Sequence, residues 1–161
     1  MSTIMVGIGG MSMSKSPGDI LKTMALGSCV AVAVLTEHPR TVTLIHVALS
    51  DSNVSSEKAK LLPGYFADTA IPKLIKKYQS LGINKKSKIT VKLAGGANVV
   101  DTENVFNIGK RNILAVRKNL WKYRLPIIKE DVGGNFSRTV WIEYDTGKFY
   151  ASCPTKGVWE I

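Results

Sequence analysis

The stretch LGSCVAVAVLTEHPRTVTLIHVAL, residues 26–49, contains the pattern that decides the fold. Residues 30–35 are apolar and rich in valine, which predicts a strand buried on both faces. Residues 36–39 place a proline among polar side chains and predict a turn. Residues 41–49 predict a second strand, antiparallel to the first because the connection is short. The stretch therefore predicts a buried β-hairpin.

The length of the turn decides which side chains meet across this hairpin. If the turn occupies residues 36–39, Leu35 pairs with Arg40, and the same register pairs Cys29 with His46. A five-residue turn would instead place these two side chains on opposite faces. An imidazole beside a thiol takes up its proton and activates the sulfur as a nucleophile. The alternative interpretation is that Cys29 is only a small buried core residue.

The rest of the chain predicts further strands and helices. Apolar spacing predicts helices over 65–80 and 108–122, with Pro72 early in the first or kinking it. Gly82 is predicted to cap the first helix at its C-terminus, and Asn107 the second at its N-terminus. Residues 50–60 are predicted as polar loop, and further strands are predicted over 88–97, 127–130, 138–144 and 148–152. We predict a layered α/β (α+β) single domain over residues 1–161, with mixed β-sheets and two main amphipathic helices. The terminal segments 1–15 and 153–161 are the least defined.

The composition points to an acidic partner. The chain has 22 basic and 12 acidic residues and a net charge of +10. Such an excess favours nucleic acid, an anionic membrane or an acidic protein surface, or is simply a solvated face. Much of it lies in two groups of residues: Lys73, Lys76, Lys77, Lys85, Lys86, Lys88 and Lys92, and Lys110, Arg111, Arg117, Lys118, Lys122 and Arg124.

Several classes of site and location are disfavoured by the sequence. Its first residues do not show the charged start and apolar core of a signal peptide, it has no apolar run of the ~20 residues that a membrane span needs, and it has only two cysteines. We therefore expect a soluble, cytoplasmic protein without membrane insertion. No CxxC, HExxH or phosphate-binding loop is present, so neither a metal nor a cofactor is expected. The three Gly-Gly pairs, at residues 9, 95 and 133, predict sharp turns that could line a site.

Seven motifs in one order along the chain resemble the CheD family of chemotaxis proteins, the chemoreceptor glutamine deamidases. They are TMALGSCVAV (23–32), IHVALSDS (45–52), PGYFADTAI (63–71), KLAGGA (92–97), NIGKRN (107–112), EDVGGNFSR (130–138) and DTGK (145–148). The resemblance covers nearly the whole chain, and the combination is highly specific.

The resemblance implies an enzyme that converts glutamine side chains of membrane chemoreceptors to glutamate. It implies Cys29 as the nucleophile, His46 as the general base and acid, and Thr23 as the residue that orients the histidine. The turn residues Gly27 and Ser28 would help to form the oxyanion site. The implied fold is a CheD-type cysteine deamidase fold, and the implied partners are the cytoplasmic helices of chemoreceptors and a CheC-type phosphatase.

The sequence departs from the family pattern at three positions, and rival functions compete with the deamidase interpretation. Ser50 stands where the family usually has proline, Gly10 where glutamate is common, and Val100 where an aromatic is usual. One rival is a non-catalytic regulatory binding protein of the chemotaxis pathway, and another is a cysteine protease or amidase with a different substrate. A nucleic-acid binder is not expected, since no recognisable binding platform is present. Cys153, beside Pro154, is interpreted as having no catalytic part.

Overall fold

Two five-stranded β-sheets form the centre of the computed structural model, which describes residues 1–99 and 106–161. The first sheet has the order β1 (Thr3–Met5), β3 (Ile20–Leu26), β8 (Arg138–Glu143), β9 (Phe149–Cys153) and β10 (Gly157–Glu160). The second has the order β2 (Met11–Ser14), β5 (Thr41–Val47), β4 (Val30–Glu37), β6 (Lys88–Gly95) and β7 (Ile127–Val132). Both sheets mix parallel and antiparallel pairs.

The helices and the two sheets stack in three layers. The helices are α1 (Ser56–Leu61), α2 (Ala67–Ser80) and α3 (Ile108–Lys122). Apolar residues of α2 and α3 pack on one face of the second sheet, in a core that includes Val30, Val32 and Val34. The other face of that sheet, with Ala31 and Ala33, packs against the first sheet. Strand β4 is therefore buried on both faces, as its sequence predicts, and the mixed α+β layered fold is confirmed.

The register predicted for the β4–β5 hairpin is wrong by two residues. Strand β4 continues through Glu37, and Ala31, not Cys29, lies directly opposite His46. The predicted turn residue Thr36 is instead paired with Thr41, and their hydroxyl oxygens lie 2.8 Å apart. An ion pair between Glu37 and Arg40 closes the loop. These contacts satisfy polar groups at the strand ends, so the four residues that link the last pair, 37–40, lie one position later than the predicted turn.

The shift of two residues preserves the face on which each side chain lies. Side chains alternate between faces with a period of two, so an even shift leaves Cys29 on the face of Ala31 and His46. In agreement, Cys29 packs against the core between the two sheets, which contains Ala31. Cys29 and His46 are therefore diagonal neighbours, a relation in which Cα atoms lie about 7–8 Å apart.

Most of the other predicted elements are present, although α1, β10 and the strands before residue 30 were not predicted. Residues 56–61 are helical rather than loop, because the Ser55 hydroxyl accepts from the Lys58 N–H and caps α1. Asn107 occupies the N-cap position of α3, as predicted, although its side chain makes no capping hydrogen bond. Pro72 lies inside α2, one turn beyond the helix start, where the helix continues through it. The predictions gave no strands before residue 30, where three are found. Gly82, with φ of 74°, ends α2 as predicted.

No helix in the described part of the chain is both long and apolar enough to cross a membrane. The prediction concerning Val100 lies outside the described residues.

Candidate active site

Residues 27–29 connect the two sheets and carry the cysteine. Strand β3 of the first sheet ends at Leu26, and strand β4 of the second begins at Val30. A β-bulge interrupts β3 just before the connector, and Ala25 there has φ of 57°. Bulges are frequent beside active sites, where they redirect the chain. Cys29 is half-buried, so its thiol lies at the rim of the inter-sheet layer.

All three carbonyl groups of this connector are held by hydrogen bonds. The Gly27 carbonyl accepts from the Ala97 N–H at 2.8 Å, and the Cys29 carbonyl accepts from the Gly96 N–H at 2.7 Å. The Ser28 carbonyl accepts from the side-chain amide of Asn112 at 2.9 Å. The predicted glycine turn is essential here, since a Cβ at Gly95 would lie 2.3 Å from the Cys29 carbonyl oxygen.

Anchored carbonyls aim the N–H groups of Ser28 and Cys29 in the opposite direction. In a trans peptide the N–H points away from the preceding carbonyl. Fixing the carbonyls of Gly27 and Ser28 therefore fixes the N–H groups of Ser28 and Cys29. Neither N–H donates to a backbone carbonyl of the described residues. Two backbone donors beside the thiol are an arrangement that can stabilise an oxyanion.

His46 on β5 meets Thr23 on β3 across the space between the sheets. The Thr23 Oγ1 atom lies 2.6 Å from His46 Nδ1 and 2.6 Å from the Val6 carbonyl oxygen. The backbone of His46 is fixed as well, because it exchanges hydrogen bonds with Gly9 and Gly10. Both side chains are fully buried. The imidazole is therefore oriented by groups from two other parts of the chain, residues 6–10 and Thr23.

The two contacts of the Thr23 hydroxyl determine the tautomer of His46. The hydroxyl has one proton, and the Val6 carbonyl can only accept, so the hydroxyl donates to Val6. Nδ1 of His46 must then donate its own N–H to the Thr23 oxygen. In the neutral ring this leaves the lone pair on Nε2, a buried atom with no hydrogen-bond partner among the described residues. His46 thus presents an unused acceptor on the face that also carries Cys29.

Burial keeps both candidate reactive groups neutral. It raises the pKa of the Cys29 thiol, partly offset by the residue's own backbone N–H beside the sulfur. It lowers the pKa of His46 to about 4, because the charged imidazolium would lose its hydration. Near neutral pH the pair is therefore a thiol and a neutral imidazole. Such a pair reacts by transferring the proton as the sulfur attacks.

The structure thus brings Thr23 and His46 into contact and places Cys29, with Gly27 and Ser28, at the adjacent connector. Sequence reasoning missed Asn112, which is fully buried, although it closes the motif NIGKRN. It also missed the role of the backbone of residues 6–10, which contacts both Thr23 and His46. Their separation from the site along the chain explains why spacing alone gave no sign of them.

Comparisons with known proteins show which family the chain resembles. The family described as "CheD chemotactic sensory transduction" matches residues 48–152. A protein of Syntrophotalea carbinolica named "Probable chemoreceptor glutamine deamidase CheD" is 46% identical over 162 residues, which is 100% of each chain. A similarly named protein of Syntrophus aciditrophicus is 47% identical over 93% of each chain. The "Chemoreceptor glutamine deamidase CheD" of Thermotoga maritima is 38% identical, over 89% of this chain and 87% of its own. The chain belongs to the CheD family.

Proposed function

We propose that this protein is a chemoreceptor glutamine deamidase, a cytoplasmic enzyme that hydrolyses glutamine side-chain amides to glutamate and ammonia. The observation that carries the proposal is the oriented imidazole, whose free Nε2 shares a face with a cysteine at the rim. The names of the relatives supply the substrate class. Residues 1–161 act as one deamidase domain in this proposal.

In the first half of the reaction, Cys29 attacks the carbon of the glutamine carboxamide. His46 Nε2 takes the thiol proton as the carbon–sulfur bond forms, and the N–H groups of Ser28 and Cys29 stabilise the negative oxygen. His46 then gives its proton to the leaving nitrogen, and ammonia departs as the carbon–nitrogen bond breaks. The product is a thioester between Cys29 and the former glutamine.

In the second half, water replaces the sulfur. Neutral His46 removes a proton from water as its oxygen attacks the thioester carbon, and the same proton returns to the sulfur when the carbon–sulfur bond breaks. Glutamate leaves and the free thiol is regenerated. Thr23 is a positioning residue in this scheme, because its oxygen keeps the proton of the resting ring on Nδ1.

The partners proposed are the cytoplasmic helices of chemoreceptors and a CheC-type phosphatase. The net charge of +10 supports an acidic partner, since opposite charge speeds encounter. Association measured with a receptor fragment should weaken as salt is raised, and salt-independent association would exclude this electrostatic contribution.

Mass spectrometry of a receptor cytoplasmic fragment tests the activity. Incubation with the wild type should replace amide NH2 by OH at individual glutamines, whereas Cys29→Ala should give no conversion. Cys153→Ala is the matched control, because Cys153 is also a free cysteine but lies at the end of β9 beside Thr155. Conversion by Cys29→Ala at the wild-type rate would reject the cysteine mechanism. Absence of conversion by the wild type would reject the deamidase proposal.

A further inference from the structure

We propose that Asn112 is a positioning residue for the reaction, holding the Ser28–Cys29 peptide so that the Cys29 N–H faces the substrate oxygen. The inference rests on the proposed function for the identity of that substrate. The inference is supported by the contacts of a side chain on α3, which is not one of the three residues Thr23, Cys29 and His46.

Every polar atom of the Asn112 side chain has a defined partner. Its Nδ2 group donates to the carbonyls of Ser28 and Ala48, each at 2.9 Å. Its Oδ1 atom accepts from the Ser50 hydroxyl, also at 2.9 Å. Two carbonyls require donors and a hydroxyl can supply one, so the amide has a single satisfactory orientation. The residue is fully buried, which makes these bonds costly to lose.

Asn112 differs from the other two groups that hold the connector of residues 27–29, because it binds through its side chain. The carbonyls on either side of Ser28 are held by backbone N–H groups of residues 96 and 97, which no substitution there except proline removes. Only the Ser28 carbonyl depends on a side chain. Without the amide, the Ser28–Cys29 peptide loses the bond that fixes its plane, and its N–H is no longer aimed beside the sulfur.

The same amide ties the nucleophile connector to the end of the histidine strand. Ala48 follows directly after β5, which carries His46, while Ser28 precedes Cys29. One planar group therefore spans the two segments whose relative position sets the distance between thiol and imidazole. This bridging is what distinguishes Asn112 from an ordinary buried amide on a helix.

Asn119 supplies a matched control on the same helix. Among the described residues, its amide donates only to the Ala115 carbonyl, one turn earlier in α3, at 2.9 Å. Asn112→Ala and Asn119→Ala thus remove the same chemical group, once from the connector and once from a local helix contact. Asn112→Asp is a second variant, of nearly unchanged shape, which lacks both N–H donors. Thermal unfolding of each variant reports whether it folds.

The first measurement is the rate of deamidation of the receptor fragment. We expect kcat of Asn112→Ala to fall about 10²-fold, the usual cost of an impaired oxyanion donor, with KM unchanged. Asn119→Ala should keep the wild-type kcat. A wild-type kcat in folded Asn112→Ala or Asn112→Asp would overturn the inference, as would an equal fall in Asn119→Ala.

The second measurement needs no substrate and separates this inference from the proposed function. Iodoacetamide alkylation of Cys29, followed against pH in a Cys153→Ala background, reports the acidity of the thiol. The Cys29 N–H beside the sulfur favours the thiolate, so the midpoint should move to higher pH in both Asn112 variants and stay in place in Asn119→Ala. An unmoved midpoint contradicts the positioning role. If the wild type releases no ammonia, the proposed function fails, and the alkylation profile alone decides the role of Asn112.

Discussion

Strand β5 carries a buried polar cluster on each of its two faces. In the cluster that faces the helices the polar groups contact one another, and we call it the closed cluster. There the hydroxyl of Thr36 donates to the Pro39 carbonyl and lies 2.8 Å from that of Thr41. The hydroxyls of Thr43 and Tyr78 lie 3.3 Å apart. Burial raises the pKa of Tyr78, so the cluster remains uncharged at any ordinary pH. Its groups satisfy one another, which is what a structural network requires.

The cluster on the opposite face, which we call the open cluster, contains one atom without a hydrogen-bond partner among the described residues. Thr23 joins His46 to the Val6 carbonyl, but Nε2 of the ring has no partner in the described part of the chain. An unpaired buried acceptor lowers stability, and the strand alternation places it on the face of Cys29. An unfilled hydrogen-bond position therefore distinguishes the candidate reactive cluster from the structural one.

The largest expected difference between the two clusters is in catalysis. His46→Gln removes the proposed base and acid, and the rate of deamidation should fall about 10⁴-fold. Tyr78→Phe removes one hydroxyl from the closed cluster and should leave the rate unchanged. Ammonia release from a receptor fragment measures both. Comparable losses in the two variants would mean that the chemistry does not depend on the open cluster.

The sequence predicted that Cys29 and His46 share a face of the hairpin, and this prediction does not depend on the register that was wrong. Strand alternation depends only on parity, so the shared face of Cys29 and His46 tolerated a two-residue error in pairing. The error arose because Thr36 and Glu37 are polar and resemble turn residues. Their partners, Thr41 and Arg40, satisfy them within the hairpin, and composition does not encode that pairing.

Other features of the site could not be predicted from local pattern. Thr23 reaches His46 from a different sheet, and the alternation of burial that turns Thr23 inward on β3 breaks at the bulge that directly follows it. The family resemblance singled out Thr23, but its contact with His46 depends on how the two sheets stack. Asn112 lies 84 residues from Ser28 along the chain, so only the packing of α3 brings them together.

A second difference between the clusters should appear in the pH dependence of stability. The pKa of His46 is about 4 in the folded protein and about 6.5 when unfolded. Between these values the unfolded chain binds the proton more readily, so the free energy of unfolding falls as pH drops. The contribution of His46 is fully present above about pH 6.5 and should be smaller by about 3 kcal/mol at pH 4.

Urea unfolding at pH 7, 5.5 and 4 isolates this contribution. His46→Gln should lose it, so its free energy of unfolding should fall less on acidification than that of the wild type. Tyr78→Phe should retain the wild-type dependence, because the tyrosine does not titrate in this range. Parallel curves for wild type and His46→Gln would contradict the buried, neutral imidazole.

The smallest expected effect concerns the orientation of the ring. Thr23→Val keeps the shape of the side chain but leaves the Nδ1 proton of His46 without an acceptor, so the proton can occupy Nε2 instead. In a fraction of the molecules Nε2 then carries the proton and cannot act as the base. We therefore expect kcat to fall about tenfold, which is the equivalent of one neutral hydrogen bond. Thr23→Ser restores the oxygen and should restore the rate. Thr43→Val removes a buried hydroxyl from the closed cluster and should leave kcat unchanged. If Thr23→Val and Thr43→Val reduce kcat equally, the loss reflects packing, and the threonine oxygen does not select the tautomer of His46.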